Sequence, residues 1–384
     1  MKKLIATIIT CMFVVFGINF LTRSDSLKDK IITWIPLDEV KENELSNQYT
    51  NYWYSTLNED EKKMYRVIAN GVINLDKNIT VEFSKENNFE QSKQVVEKVL
   101  SAFFADNPYV FYIKDKYEIS TTNILVLSKI DLKLEYISND IKEIERMKQE
   151  LNAEVEKINN ELNGCKTDYE KELKLHDILA KEIVYFEHEE YDEIPSIKHT
   201  AYSALVDKSA VCDGITKAFQ LLLCRNNIES IFVTGMSENV PHAWCKVKLA
   251  DEYYNVDVTS DKALNKEDSN LVIHSYFNIT DREIMSTHDF DEYDKLPKSE
   301  GNKYNYYIYN DYIITHMDGF EYKLGQIIHK QKSSILLEFK ATGINDVPSK
   351  MVEALYNLNF NNYKTKNTTK VEYNKINDNY IVVK

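Results

Sequence analysis

Three side chains in the middle of the sequence could together activate a thiol: Cys212, His242 and Asp257. A cysteine acts as a strong nucleophile in its thiolate form, and a neighbouring histidine can take up the thiol proton. A carboxylate beside that histidine fixes its tautomer and stabilises the imidazolium. Taken alone, Cys212 would be a buried structural cysteine and His242 a surface residue of a strand. The three together favour an activated thiol nucleophile.

The residues after Cys212 are patterned as an amphipathic helix that carries the thiol in its first turn. Ser209 is the expected N-cap of this helix. A helix N-terminus offers free N–H groups and a partial positive charge, and both stabilise a thiolate. The apolar stripe that predicts the buried face is formed by Ile215, Ala218, Phe219, Leu222 and Leu223.

His242 and Asp257 are predicted to lie on the two strands of one hairpin. The strands are expected over residues 241–249 and 253–259, and the short turn between them pairs Lys248 with Tyr253.

This register brings the histidine and the carboxylate together on one face of the hairpin. It places His242 opposite Thr259 and diagonal to Asp257, at about 7–8 Å between Cα atoms. The opposite face is almost wholly apolar and includes Cys245. That apolar face is therefore predicted to be the core, with His242 and Asp257 on the face away from it.

Three short motifs carry these residues: Ala-Val-Cys-Asp-Gly at 210–214, Pro-His-Ala-Trp at 241–244 and Tyr-Tyr-Asn-Val-Asp-Val-Thr at 253–259. In this order they resemble the transglutaminase-like superfamily, in particular bacterial exported proteins with this domain. The resemblance covers roughly residues 168–290. It implies that the catalytic triad consists of Cys212, His242 and Asp257.

The resemblance also implies an α+β, papain-like core, in which the nucleophile helix packs on an antiparallel sheet that carries the histidine and the aspartate. The implied activity is cysteine-dependent acyl transfer on protein or peptide amide bonds, with cell-wall peptides among the candidate substrates. An amine acceptor would give crosslinking, and water would give proteolysis or deamidation. No cofactor and no metal are expected.

Some pocket residues depart from the pattern that is common in the family. Cys245 stands where many relatives have Asn, Ser260 where many have Trp, and Tyr253 also replaces a common Trp. A catalytically inactive surface binding or scaffold protein is therefore the alternative function. Tyr202 could add an oxyanion donor to the backbone N–H of Cys212, although an aromatic core role for it is simpler.

The composition excludes several other classes of protein. Glycine and proline, at 9 and 6 of 384 residues, are too scarce for a collagen-like or a Gly/Pro-rich disordered chain. A net charge of −14 disfavours binding to nucleic acid. Five cysteines without a CxxC pair indicate neither a disulfide scaffold nor a zinc ribbon. The dipeptide His176-Asp177 occurs in metal-dependent phosphohydrolases, but alone it is interpreted as an exposed polar pair on a helix.

The N-terminus predicts export. Lys2 and Lys3 precede a mostly apolar run from Leu4 to Leu21, which is typical of a secretory signal or an uncleaved membrane anchor, with the body of the protein on the extracellular face. The predicted organisation is a signal or anchor at 1–24, a stalk at 25–57, a small α+β unit at 58–130, a long helix at 131–165, a transglutaminase-like domain at 166–298 and a C-terminal α+β unit at 299–384.

Overall fold

The computed structural model describes residues 49–83, 89–124, 127–187, 194–263, 271–332, 336–358, 373–376 and 378–383. The predicted signal or anchor segment lies outside the described residues, as does most of the predicted stalk. Within the described ranges, no helix combines the length and the apolar character needed to cross a membrane. Helices and strands are mixed along the chain, so the predicted α+β class is confirmed.

The helices are α1 (Tyr52–Ser55), α2 (Glu59–Ile73), α3 (Phe89–Asp106), α4 (Ile141–Glu161), α5 (Asp168–Glu182), α6 (Ala201–Leu205), α7 (Cys212–Arg225), α8 (Val258–Ala263), α9 (Asp281–Ile284), α10 (Tyr306–Tyr309), α11 (Phe320–Gln331) and α12 (Val347–Asn357). The strands are β1 (Asn78–Phe83), β2 (Ile113–Ile124), β3 (Leu127–Tyr136), β4 (Val184–Tyr185), β5 (Ser209–Ala210), β6 (Ser230–Ser237), β7 (Val240–Leu249), β8 (Glu252–Val256), β9 (His288–Phe290), β10 (Ile313–Ile314), β11 (Leu336–Ala341), β12 (Tyr373–Ile376) and β13 (Asn379–Val383).

The chain divides into two compact units. The described part of the first consists of residues 57–83, 89–99, 119–124 and 127–133. Its helix α2 begins with a capping box, in which the Asn58 side chain accepts the Glu61 N–H and the Glu61 carboxylate accepts the Asn58 N–H, each at 3.0 Å. Strand β1 then pairs antiparallel with β3, from Asn78 opposite Lys133 to Phe83 opposite Ser128.

The described part of the second unit consists of residues 49–56, 100–118, 134–187, 194–263, 271–332, 336–358, 373–376 and 378–383. At its centre α7 packs on β6 and β7, in an antiparallel sheet with the order β8-β7-β6-β9. The apolar stripe of α7 is fully buried, as its sequence predicts. The hairpin of β7 and β8 has the predicted register, with Lys248 opposite Tyr253.

Two boundaries of these elements differ from those predicted from the sequence, the end of β8 and the start of α7. Strand β8 stops at Val256 instead of continuing to Thr259, so His242 does not face Thr259. The residue that pairs with His242 is Gly235 on the neighbouring strand β6. The chain leaves the strand at this point because the Asp257 carboxylate accepts the Ser260 N–H at 3.0 Å and so caps the first turn of α8.

The start of α7 also differs from the prediction. Ser209 belongs to the short strand β5, and the N-cap of α7 is Val211, which makes no side-chain capping bond. Cys212 is therefore the first helical residue.

The prediction that the face of His242 lies outside the core is wrong, because the sheet is buried on both faces. On this second face, Trp244 packs with apolar residues of the segment that follows α8, in a cluster completed by Ile231, Val233, Tyr276, Ile279, Ile284 and Leu296. The polar residues there have buried partners. Lys246, with no exposed surface, binds Asp281 and donates to Ser299 at 2.7 Å. These polar side chains can be buried because partners within the protein take the place of water as hydrogen-bond partners.

The C-terminal part of the second unit forms its own layer. A four-stranded sheet with the order β10-β11-β13-β12 packs with α11 and α12 around a separate apolar cluster. Strand β11 faces β13 antiparallel, with Phe339 opposite Tyr380. The sheet also delivers one buried carboxylate, that of Glu338, to the residues around His274.

Candidate active site

Two residues that follow Cys212, Gly214 and Thr216, fix the N-terminus of α7. A β-carbon at position 214 would lie 2.5 Å from the Lys198 carbonyl oxygen, so Gly214 allows the close approach of the helix to the preceding segment. The Thr216 hydroxyl lies 2.8 Å from the Cys212 carbonyl oxygen and 2.9 Å from that of Ala243. This shared hydrogen bond fixes the first turn of α7 against β7, the strand that carries the histidine.

The structure brings the three predicted site residues together. The His242 Nε2 atom lies 2.8 Å from the Asp257 Oδ2 atom, and the Cys212 side chain is near enough to His242 to help raise the pKa of its ring. Because Nε2 is engaged by Asp257, Nδ1 is the ring nitrogen that remains for the thiol. All three side chains are largely withdrawn from water, with His242 10% exposed.

The charge of Asp257 dominates the electrostatics of the site. Burial alone would lower the pKa of His242, but the Asp257 charge and hydrogen bond, together with the Cys212 side chain, raise it to about 10. Burial would in turn raise the pKa of Asp257, yet its contacts with His242 and with His288 hold it well below its usual range. The arrangement therefore favours an ionised carboxylate beside an imidazolium.

His288 is a member of this group that the sequence analysis missed. Its Nε2 atom lies 3.1 Å from the Asp257 Oδ2 atom, and its Nδ1 atom lies 2.8 Å from the Thr287 hydroxyl. Asp257 thus holds two histidines on one oxygen. No sequence signal marked His288, because it lies 31 residues beyond Asp257 on a three-residue strand.

Gly235 explains how β9 reaches the site. It pairs with Phe290 of β9, and a β-carbon at position 235 would lie 1.9 Å from the Asp289 carbonyl oxygen. Only a residue without a side chain permits this approach of β9 to β6. The close pairing places His288 beside Asp257.

The other side chains considered from the sequence lie elsewhere. The Tyr202 hydroxyl donates to Glu150 at 2.8 Å and its ring stacks on Phe111, which agrees with the aromatic core role and not with an oxyanion donor. Cys245 is 1% exposed and contacts the Thr216 carbonyl oxygen at 3.8 Å, so its assignment to the core is confirmed.

Among the residues that the structure describes, two groups of side chains have ligand atoms close enough together to hold a metal ion. In each group these atoms all lie within 4.8 Å of one another. One group is His242, Asp257 and His288, the site just described. The other is His176 and Asp177 with His274, where the sequence analysis expected an exposed pair. That expectation is wrong for His176, which has no exposed surface and binds Asp261 at 3.0 Å.

The three residues of this site lie within a match to a known family. The family model of the transglutaminase-like superfamily matches residues 156–258, a range that contains Cys212, His242 and Asp257. This part of the chain is a transglutaminase-like domain. His288, the second histidine on Asp257, lies beyond the range of the match.

Two solved structures are similar to parts of the chain that carries this transglutaminase-like domain. A structure described as a TGase shares 12% identity and a TM-score of 0.27, over 47% of this chain and 50% of that chain. A candidate cysteine protease from Cytophaga hutchinsonii shares 10% identity and a TM-score of 0.26, over 46% of this chain and 65% of that chain. In both cases the chain spans less than two thirds of the other protein. A search among curated proteins finds no match.

Proposed function

We propose that the protein is a thiol acyltransferase or hydrolase that acts on amide bonds, with Cys212 as the nucleophile. The observation that carries the proposal is the 2.8 Å contact between His242 and Asp257 beside the Cys212 side chain, which helps to raise the pKa of His242. The transglutaminase-like domain supports the same chemistry, since that superfamily is usually enzymatic.

In this mechanism His242 takes the thiol proton, and the Cys212 thiolate attacks the amide carbonyl carbon. The backbone N–H of Cys212, which has no partner within α7, donates to the oxyanion of the tetrahedral intermediate. The His242 imidazolium then protonates the leaving amine, the C–N bond breaks, and a thioester with Cys212 remains. Water or a second amine attacks the thioester, gives its proton to His242, and releases the thiol.

Asp257 and His288 position the imidazole throughout the cycle. Asp257 keeps the Nε2 side of His242 occupied, so Nδ1 faces the thiol in every step. His288 occupies the same carboxylate oxygen from the other side at 3.1 Å, which limits rotation of that carboxylate.

We further propose that the reaction takes place outside the cytoplasm, on protein or peptide amides of the cell surface or wall. Support comes from the sequence of residues 1–24, where two lysines precede an apolar run. Fusion of these residues to a reporter enzyme that is active only after export tests this location. An inactive reporter would contradict it.

The activity is tested with a peptide library as the acyl donor and a biotin-labelled primary amine as the acceptor. We expect wild-type protein to incorporate the amine or to release new peptide ends, and Cys212→Ser to do neither, because a hydroxyl is a far weaker nucleophile. Cys245→Ala is the matched control, since it removes a thiol of the same domain and leaves the site intact. Equal products from wild-type and Cys212→Ser protein would refute Cys212 as the nucleophile, and no product from the wild type would favour the scaffold function instead.

A further inference from the structure

The second histidine–carboxylate group shares no side chain with the proposed Cys212 site and has a geometry that the proposed function does not use. The Asp177 Oδ1 atom lies 3.1 Å from the His176 Nδ1 atom and 3.0 Å from the His274 Nε2 atom. One carboxylate oxygen therefore meets one nitrogen of each ring. We propose that His176, Asp177 and His274 bind a divalent transition-metal ion, for which Zn²⁺ is the natural probe.

In each ring, the outer nitrogen, which is the one that does not face Asp177, lies within hydrogen-bond distance of a buried carboxylate. The His176 Nε2 atom lies 3.0 Å from Asp261, which has no exposed surface, and the His274 Nδ1 atom lies 2.9 Å from Glu338, which is 2% exposed. Histidines that bind metals almost always give their other ring nitrogen to such a partner, which fixes the tautomer and the ring orientation. Here both histidines do so.

These outer contacts determine where the lone pairs of neutral rings point. With a proton on Nε2 of His176 and on Nδ1 of His274, the remaining ring nitrogens carry lone pairs. Both face the Asp177 Oδ1 atom, which in a carboxylate is also only an acceptor. In this neutral state three lone pairs converge, once a metal ion has displaced the protons that the neighbouring carboxylates favour on the two rings. A cation at that point would satisfy all three.

The two outer carboxylates are themselves fixed. The Asp261 Oδ1 atom accepts the Tyr276 N–H at 2.9 Å. The Glu338 Oε1 atom accepts the His274 N–H at 2.9 Å and the Tyr307 hydroxyl at 3.1 Å. Because the side chains that orient the two rings are already bound to backbone and buried groups, the ligand set requires little rearrangement on binding.

The exposure of the group leaves one side open for entry. The His176 side chain is fully buried, the His274 side chain is 7% exposed and the Asp177 side chain is 38% exposed. A metal ion could enter from the side of Asp177, where water would complete the coordination. Two imidazole nitrogens and one carboxylate oxygen suit Zn²⁺ and related transition metals better than Ca²⁺ or Mg²⁺, which prefer oxygen ligands.

Such an ion would tie together parts of the second unit that are far apart in sequence. His176 and Asp177 lie on α5, His274 lies between α8 and α9, and its partner Glu338 lies on β11. We therefore assign the ion a structural role, and not the phosphohydrolase chemistry that the dipeptide alone would suggest. This inference is independent of the role of Cys212.

The test measures metal binding by the full-length protein, with elemental analysis after gel filtration. Protein stripped with a chelator is titrated with Zn²⁺, and with Co²⁺ as a visible spectroscopic probe. We expect about one ion per chain and a rise in the melting temperature, because a ligand that binds only the folded state stabilises it. Failure of the wild-type protein to bind either ion at micromolar concentrations would overturn the inference.

Substitutions locate the ion within the protein. Asp177→Asn and His274→Gln should each weaken Zn²⁺ binding by at least about 10-fold, since losing a ligand costs no less than losing an outer partner. His242→Gln, from the other candidate group, is the matched control and should bind as the wild type does. Wild-type affinity in both Asp177→Asn and His274→Gln would refute the site, and so would loss of binding only in His242→Gln. If His274→Gln fails to fold, Asp177→Asn alone tests the site, because a substitution at the partly exposed Asp177 should leave the fold intact.

Discussion

Replacing Asp257 by Asn should abolish the rapid reaction of Cys212 at acidic pH while leaving the fold intact. Asn keeps the shape of Asp257 and can still accept the Ser260 N–H that caps α8. It removes the negative charge that faces His242 at 2.8 Å. The imidazolium then loses its main stabilising partner, and with it the thiolate loses its counter-ion.

The size of the effect follows from the pKa of His242, which Asp257 and the other contacts raise to about 10 against the opposing effect of burial. A histidine with a pKa of about 10 holds its proton more strongly than an ordinary thiol, which titrates at about 8.5, so the thiolate–imidazolium pair predominates. Without the Asp257 charge, a histidine at or below its ordinary value of about 6.5 leaves that pair at about 1% of molecules. The reactive population falls on the order of 100-fold, or about 2.7 kcal/mol.

The assay is alkylation with iodoacetamide between pH 5.5 and 9, with each cysteine followed by peptide mass spectrometry. We expect fast labelling of Cys212 at pH 6 in the wild type, labelling about 100-fold slower in Asp257→Asn, and convergence of the two rates near pH 9. Asp251→Asn, in the exposed turn between β7 and β8, is the control for loss of charge alone. A folded Asp257→Asn protein that labels at the wild-type rate at pH 6 would refute the reasoning.

Three further substitutions test the surroundings of the site. Cys245→Ala should lower the free energy of unfolding by about 1–2 kcal/mol in urea titrations and leave Cys212 labelling unchanged, because that thiol is buried in the core. Gly235→Ala should displace β9, take His288 from its aspartate partner and slow Cys212 labelling at pH 6, since a β-carbon there meets a backbone oxygen at 1.9 Å. His242→Gln should be less stable than wild type below about pH 6.5, with the difference in melting temperature disappearing as the pH rises through about 10, because the raised pKa of His242 stabilises only the protonated folded state. A difference that stays constant from pH 6 to pH 10.5 would contradict this last expectation.

The local parts of the site could be predicted because they depend on short-range patterns. The apolar stripe after Cys212 predicts the buried helix α7, and the short turn predicts the hairpin register of Lys248 with Tyr253. A register fixes which residues share a face, so it also brought His242 and Asp257 together, although the strand was extended too far.

The parts that failed depend on contacts that are distant in sequence. Lys246 shares the face of His242, which was predicted to lie away from the core, but it is buried because Asp281 and Ser299 supply its partners 35 and 53 residues later. His176 was expected to be exposed for the same reason, since its partner Asp261 lies 85 residues away. Polar residues carry no local signal that separates a solvated position from a buried one with a remote partner.

The two histidine groups share one geometric arrangement of a carboxylate and two rings. In each, one carboxylate oxygen meets nitrogens from two histidines, Asp257 with His242 and His288, and Asp177 with His176 and His274. What separates them is the third kind of neighbour. The first group faces a thiol, which can give its proton to a ring, so a thiolate–imidazolium pair satisfies it. The second group has carboxylates on the outer nitrogens of both rings, which orient the two inner nitrogens and Asp177 toward the proposed metal ion. The same residue types therefore support a nucleophile in one group and a metal site in the other, and the His242→Gln and Asp177→Asn proteins should each lose one property and keep the other.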